Sequence, residues 1–237
     1  SITSLGNGEF IVTWGDESTS SRSSELGSEF DNSGWAVFGQ KFTTAGDDTP
    51  AVSGDLFQAN THTSHEQLNP SVTALEGTDG GFVVTWESRY QDGDSSYYNI
   101  YGQRFDGDGS SVGDEFMVNV DRTIRDQHDP SVTSLSNGEF VVTWGDESTS
   151  SRSSELGSGF DNSGWAVFGQ KFTTVGDDTP AVSGDLFQVN SYTSSSQYQP
   201  SVTALQTTTE GTDAGFVVTW QDDSGRDGGS GADVRGQ

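Results

Sequence analysis

The chain repeats itself, and that constrains its fold more than any other feature. Residues 1–58 and 131–188 align without a gap, differing only at Ile2/Val132, Gly6/Ser136, Ile11/Val141, Glu29/Gly159 and Ala45/Val175. A shorter unit recurs inside this long one. Phe-[Val/Ile]-Val-Thr-Trp stands at Phe10–Trp14, Phe82–Trp86, Phe140–Trp144 and Phe216–Trp220. A second block reads Phe38-Gly39-Gln40-Lys41-Phe42, Tyr101-Gly102-Gln103-Arg104-Phe105 and Phe168-Gly169-Gln170-Lys171-Phe172, with a fourth copy begun at Val234-Arg235-Gly236-Gln237. A third carries Phe57 to Asn60, Phe116 to Asn119 and Phe187 to Asn190. Gln67/Pro70, Gln127/Pro130 and Gln197/Pro200 then lead into Ser-Val-Thr-[Ala/Ser]-Leu, which matches the first residues of the chain. Such a unit cannot bury its apolar face alone and is stabilised by stacking on its neighbours.

Each unit holds four short runs of strand character. Ser-Val-Thr-Ala-Leu alternates hydroxyl and apolar residues at period two, the pattern of a half-buried strand. Phe-Val-Val-Thr-Trp is β-branched and aromatic, suited to a strand packed on both faces. Loops rich in Gly, Asp and Ser separate the runs, and no window sustains a helical period. The expected fold is all-β, a β-propeller of four-stranded blades. The blades are expected at 1–70, 71–130, 131–200 and 201–237, the last stopping inside its third strand. The rival, a string of separate small sandwiches, would bury too little surface in each. A ring closed on this chain alone would lack an outer strand, so further blades, or a second copy, are expected to complete it.

Charge narrows the function. The chain has 36 acidic against 10 basic residues, a net charge of −26. Such an excess repels phosphate backbones and anionic headgroups, so neither nucleic-acid binding nor membrane insertion is expected. With no cysteine, disulfides, thiolate metal sites and a cysteine nucleophile are excluded. Aromatics at 11% in regular blocks argue for a folded chain rather than a disordered acidic one.

The blocks Gly-x-Phe-Val-Val-Thr-Trp, [Ile/Val]-[Tyr/Phe]-Gly-Gln-[Arg/Lys]-Phe, Phe-x-Val-Asn and Gln-x-x-Pro-Ser-Val-Thr resemble repeats of large bacterial extracellular proteins of calcium-binding, haemolysin-type or adhesin-like kind. They are similar to FG-GAP propeller blades. The resemblance spans essentially the whole chain. It implies export, a calcium-rich exterior and a structural or binding role. The glycine-rich calcium-binding nonapeptide of secreted toxins is absent, and Asn137-Gly138-Glu139-Phe140 lacks the opening of a sialidase-type Asp-box.

Several residues are candidates for chemistry. Calcium takes about 6–8 oxygen ligands on a bendable loop. Asp31, Asn32, Asp92, Asp94, Asp161, Asn162, Asp222, Asp223 and Asp227 stand in acidic loops after the Trp-ended strand, and Asp106 and Asp108 lie between the third and fourth strands. The same residue types also make turns, without any metal. His62 and His65 have Tyr192 and Ser195 at the matching places, so they read as surface-loop residues, and His128 reads as simply exposed. Trp14, Trp86, Trp144 and Trp220 read as packing between blades. Trp35, Trp165, Tyr97 and Tyr98 stand beside polar insertions, where rings can stack on sugars. Paired carboxylates serve glycoside hydrolysis when held roughly 5–10 Å apart. Near-identical copies, however, leave few unique residues, so the chain is expected not to be an enzyme. The expected role is a calcium-stabilised structural or adhesive repeat region of a bacterial surface or secreted protein. Located outside the cell or on its surface, it would associate with itself, with other surface-matrix subunits or with glycans. The alternative is a carbohydrate-binding propeller lectin.

Overall fold

The computed structural model describes residues 1–18, 34–44, 49–76, 81–93, 97–120, 125–148, 164–175, 178–205, 215–226, 228 and 231–237. They form four antiparallel sheets in chain order. The first contains β1 (Ile2–Gly6), β2 (Glu9–Ser18), β3 (Gly34–Thr43), β4 (Ala51–Val52) and β5 (Phe57–Gln58). The second runs β6 (Gln67–Ala74), β7 (Phe82–Arg89), β8 (Tyr98–Phe105) and β9 (Ser111–Met117). The third has β10 (Gln127–Ser134), β11 (Glu139–Ser148), β12 (Gly164–Thr173), β13 (Ala181–Val182) and β14 (Phe187–Gln188). The fourth has β15 (Gln197–Ala204), β16 (Phe216–Asp222) and β17 (Asp233–Gly236). Each sheet is a blade of a β-propeller, as the repeat predicts. In the first and third blades the expected fourth strand is split in two, since β4 and β5 both pair with β3, and β13 and β14 both pair with β12.

Alternation along the Phe-Val-Val-Thr-Trp strand assembles the core between blades rather than within them. On β7, Phe82, Val84 and Trp86 join Ile11, Val37 and Ala59 of the first blade, whereas Val83 points the other way into the next cluster. On β11, Phe140, Val142 and Trp144 face the second blade, and Val141 faces the fourth. One strand thus serves two interfaces at period two. The repeated glycine of the second block makes room for a ring. A Cβ on Gly39, Gly102 or Gly169 would lie 2.2, 2.7 or 2.5 Å from the ring of Phe57, Phe116 or Phe187. Those rings cover the glycines from the neighbouring strand.

The polar blocks join one blade to the next. The first strand of each blade has an edge with no strand beside it, and unpaired edge amides need acceptors. The Ser and Thr of the preceding blade supply them. Val72 and Ala74 amides donate to Ser1 Oγ and Thr3 Oγ1 at 3.3 and 3.1 Å. Val132 and Ser134 donate to Ser71 Oγ and Thr73 Oγ1, both at 3.2 Å. Val202 and Ala204 donate to Ser131 Oγ and Thr133 Oγ1 at 3.1 and 3.2 Å. The buried asparagine of the third block makes a second link. Asn60 Oδ1 accepts from the Val37 amide at 2.8 Å while its Nδ2 donates to Gln67 Oε1 at 3.2 Å. Asn119 does the same with Ile100 and Gln127 at 2.8 and 2.9 Å. Asn190 repeats it with Val167 and Gln197 at 2.8 and 2.9 Å.

The Gln-x-x-Pro segment is a β-bulge. Register shifts fall between Leu68 and Ser71, His128 and Ser131, and Tyr198 and Ser201. Asn69, Asp129 and Gln199 take positive φ of 51°, 54° and 51°. Bulges re-aim side chains, and here the three residues and their prolines gather around one opening of about 390 Å³.

Replacing Asn119 with alanine leaves the Ile100 amide and Gln127 without their buried partner. Each such group costs about 1–3 kcal/mol. The urea midpoint of N119A is therefore expected to drop well below that of the parent chain, with the slope unchanged. An unmoved midpoint would show that the asparagine contributes nothing.

Candidate functional site

The repeat departs from itself after the Trp of the central strand, and in one blade the departure places a carboxylate. The residue after the Trp of the central strand is Gly15 in the first blade, Gly145 in the third and Gln221 in the fourth, but Glu87 in the second. Glu87 is buried. Its Oε2 lies 2.7 Å from His128 Nδ1, and its Oε1 accepts from the Asp129 amide and from Asn69 Nδ2, each at 2.8 Å. The β10 bulge therefore hangs on a carboxylate of the preceding blade. His128 is half-buried and not simply exposed, a correction to its sequence reading, because Glu87 draws it inward.

His128 also joins a row of rings. Tyr98 lies on one side at 4.9 Å between centroids and Trp165 on the other at 5.5 Å. The Trp165 ring lies over Gly145, 3.5 Å from where a Cβ would be. The Tyr98 hydroxyl donates to Glu66, which Arg89 also holds at 3.1 Å. Burial first, then that carboxylate, pushes the Tyr98 phenol up to about 12.

Beside Trp165 lies a cavity of about 270 Å³ bounded by His128, Asp129, Trp165, Ser196, Tyr198 and Asp223. It sits where the third blade meets the fourth. The Tyr198 hydroxyl donates to Asp223 Oδ2 at 2.9 Å and accepts from Gln221 Nε2 at 2.6 Å. Burial, then the charge of Glu87, raises the pKa of Asp129 above the usual carboxylate range, against the opposing pull of His128. For His128, burial alone would lower the pKa. The hydrogen bond and charge of Glu87, with Asp126 and Asp129, outweigh it and raise the value.

The four aromatic candidates part company here. Trp165 lines the cavity and Tyr98 stacks behind His128, while Tyr97 precedes β8 and is not among the cavity's lining residues. Trp35 lies over Gly15 in the first blade, exposed, away from the cavity. Trp86, Trp144 and Trp220 are buried between blades, as expected.

Among the metal candidates, Asp31, Asn32, Asp94, Asp161, Asn162 and Asp227 lie outside the described residues. The rest have protein partners. Asp92 accepts from Asn99 Nδ2 at 3.1 Å. Asp106 Oδ1 accepts the amides of Asp108 and Ser110 at 3.0 and 2.9 Å, closing the β8–β9 turn. Asp108 pairs with Lys41 of the first blade at 3.3 Å. Asp222 faces Arg226 and Arg235 at 3.3 and 3.4 Å. Although burial would raise its pKa, hydrogen bonds from Ser224 and Gln197 and the Arg226 charge hold it low. Asp223 faces the cavity instead. Among the described residues no three His, Asp or Glu converge as a metal-binding group.

No family model matches the chain, and no curated protein does. Among solved structures it is similar to a protein of unknown function from Dyadobacter fermentans, at 14% identity and a TM-score of 0.56, over 93% of this chain and 60% of that one. It also matches an α-L-arabinanase of Penicillium chrysogenum complexed with arabinobiose, at 14% identity and a TM-score of 0.47, over 91% of this chain and 50% of that one. The chain thus spans less than two thirds of either match, and at this identity the likeness extends to the fold alone. The expectation that the chain is not an enzyme is withdrawn: one of the matched structures is of an arabinanase, and a likeness in fold alone assigns this chain no activity and excludes none. Its sequence argument fails too, because among the described residues Glu87, His128 and Asp129 meet at a single place despite the near-copies.

The Glu87–His128 contact carries a pH signature. With its folded pKa raised, His128 adds stability that is complete below the unfolded value of about 6.5 and is lost as pH rises through the folded value. Asp129 acts in the same sense, its raised pKa favouring the fold at low pH. The stability advantage of the parent over H128Q is expected to be largest in mild acid and to shrink toward pH 8, read as the difference in denaturation midpoints. An advantage that grows with pH would contradict the assignment.

Proposed function

We propose that this chain is a carbohydrate-binding propeller segment of an extracellular adhesive protein, with its glycan seat in the cavity between the third and fourth blades. The observation that carries the reading is the cavity itself. Trp165 and Tyr198 offer flat apolar surface for the C–H face of a sugar ring, and Asp129, Asp223 and Ser196 offer acceptors and a hydroxyl at its rim. Its volume of about 270 Å³ is near the lower end of small-ligand sites, about 300–1,000 Å³, which suits a terminal sugar rather than a long chain lying in a cleft. The carboxylates disfavour anionic sugars, so a neutral glycan is the fitting class. Repeats of this kind present such seats on a rigid frame, and the resemblance of the repeat blocks to adhesin-like surface proteins agrees with attachment as their use. Calcium on the acidic loops belongs to the same reading, as a relief of the −26 charge.

A glycan array followed by titration calorimetry tests the seat. W165A is expected to weaken binding of the selected neutral glycan at least tenfold, about 1.4 kcal/mol, whereas W35A leaves it near the parent value. Equal binding by W165A and the parent would remove the cavity from the account. Calcium is tested apart from this by chelation, which is expected to lower the melting temperature. An unchanged melting temperature and assembly state would dismiss calcium and leave the glycan seat standing.

A further inference from the structure

Every copy of the central-strand block ends in Thr-Trp, and period two sends the two side chains to opposite faces. Thr13 shares a face of β2 with Ile11, Thr85 a face of β7 with Val83, and Thr143 a face of β11 with Val141. Those three apolar residues pack with Trp86, Trp144 and Trp220, each the tryptophan of the following blade. Each of the three interfaces inside the chain therefore has a threonine on one side and an indole on the other. All six side chains are buried. Thr13, Thr85 and Thr143 are 1, 0 and 0% exposed, and Trp86, Trp144 and Trp220 are 0, 0 and 5% exposed. Among the described residues, Nε1 of the three tryptophans meets no acceptor, and Oγ1 of Thr13 and Thr85 has no partner. Thr143 Oγ1 reaches only the Ser131 carbonyl, at 3.5 Å, beyond the usual range of about 2.5–3.0 Å for a hydroxyl. A buried polar group without a partner is costly, and here the same two groups recur at equivalent places.

A third group stands beside each threonine. Ser71 lies directly across from Thr85 and Ser131 from Thr143, and Thr13 donates its amide to the Ser1 carbonyl at 2.9 Å. These are the serines whose Oγ accepts the amide of Val72, Val132 or Val202 from the following blade. A hydroxyl that accepts still has its own proton to give.

We propose that each of these interfaces binds one buried water, which accepts the indole N–H of the following blade and pairs with the Thr and Ser hydroxyls of the preceding one. A buried water typically makes about three hydrogen bonds, the number this set supplies. Water fits the donors better than an ion does. The indole only donates, so it offers a metal ion nothing, and three neutral groups give an anion no counter-charge. The water also explains why a hydroxyl residue stands before the tryptophan in a strand that is otherwise apolar. The inference is independent of the glycan seat, since none of these residues bounds the cavity beside Trp165.

High-resolution crystallography of the parent tests it first. A water is expected at each of the three interfaces, within about 3 Å of both the indole Nε1 and the threonine Oγ1. Magnetic resonance tests it in solution, where the indole protons of Trp86, Trp144 and Trp220 are each expected to show cross-relaxation with a long-lived water. T85V keeps the shape of the side chain and removes its hydroxyl. It is expected to lose the water signal at Trp144 and to keep those at Trp86 and Trp220, whereas T85S, which restores a hydroxyl, keeps all three. Circular dichroism confirms that the variants are folded, and the parent crystal decides the matter should T85V not fold. An indole bonded directly to the threonine, or no density between them in the parent, overturns the inference. A Trp144 water signal that survives unchanged in folded T85V overturns it as well.

Discussion

A strand with no neighbour on one side lies at the heart of each blade, and the molecule depends on how its amides are satisfied. A ladder of hydrogen bonds to another strand would fuse two blades into one sheet. Hydroxyls on the preceding blade satisfy the same amides without fusing them, as at Val132 with Ser71 and Ser134 with Thr73. Because Ser and Thr occupy alternate positions, the residue between them is free to be valine and to point into the apolar cluster between blades. The Ser-Val-Thr block therefore does two things at period two. Asn119 and its counterparts add a buried clamp that ties the end of one blade to the start of the next. Each clamp is polar, buried and fully partnered, the condition under which such groups specify one arrangement instead of weakening it.

This explains why so much of the fold was legible. Periodicity located the strands, and the fourfold return of Phe-Val-Val-Thr-Trp set the number of blades. The recurrence of Asn and Gln was visible too, but its meaning was not. A buried Asn–Gln pair joins residues adjacent in space only after the sheets exist, and nothing in the spacing from Asn60 to Gln67 announces a hydrogen bond. The glycine of Phe-Gly-Gln is similarly mute in the sequence, its reason being the Phe57 ring that lies over Gly39. The split of the fourth strand into β4 and β5 follows from an insertion in the long units, which the shorter second blade, with a continuous β9, lacks.

Most of the candidate site is legible only through departures from the repeat. Trp165 was open to reading because it stands beside a polar insertion, and Asp223 because it lies in an acidic loop. Glu87, Asp129 and Tyr198 carry no motif of their own, and His128 reads from sequence as an exposed loop residue. Their signal was present as difference, a glutamate where two blades have glycine and a histidine where others have Leu68 and Tyr198. Differences between near-copies mark where a repeat has been put to use, whereas the shared positions are taken up by packing. Positive-φ residues placed by the bulge, Asp129 among them, then carry those differences to the mouth of the propeller. Acidic turns such as Asp106–Ser110 offer carboxylates in the sequence, yet in the structure Asp106 holds backbone amides and Asp108 holds Lys41.

Hydrogen exchange at single-residue resolution tests most directly the claim that the blades are held together through these inner edges. The amides of Val72, Ala74, Val132, Ser134, Val202 and Ala204 meet hydroxyls of a neighbouring blade and no strand of their own. The account predicts that they exchange as slowly as the amides in the middle of β7 and β11, and that all are released together with the global unfolding of the chain. Fast exchange at these six amides, with β7 and β11 still protected, would mean that the blades stand as separate sheets, and would contradict it.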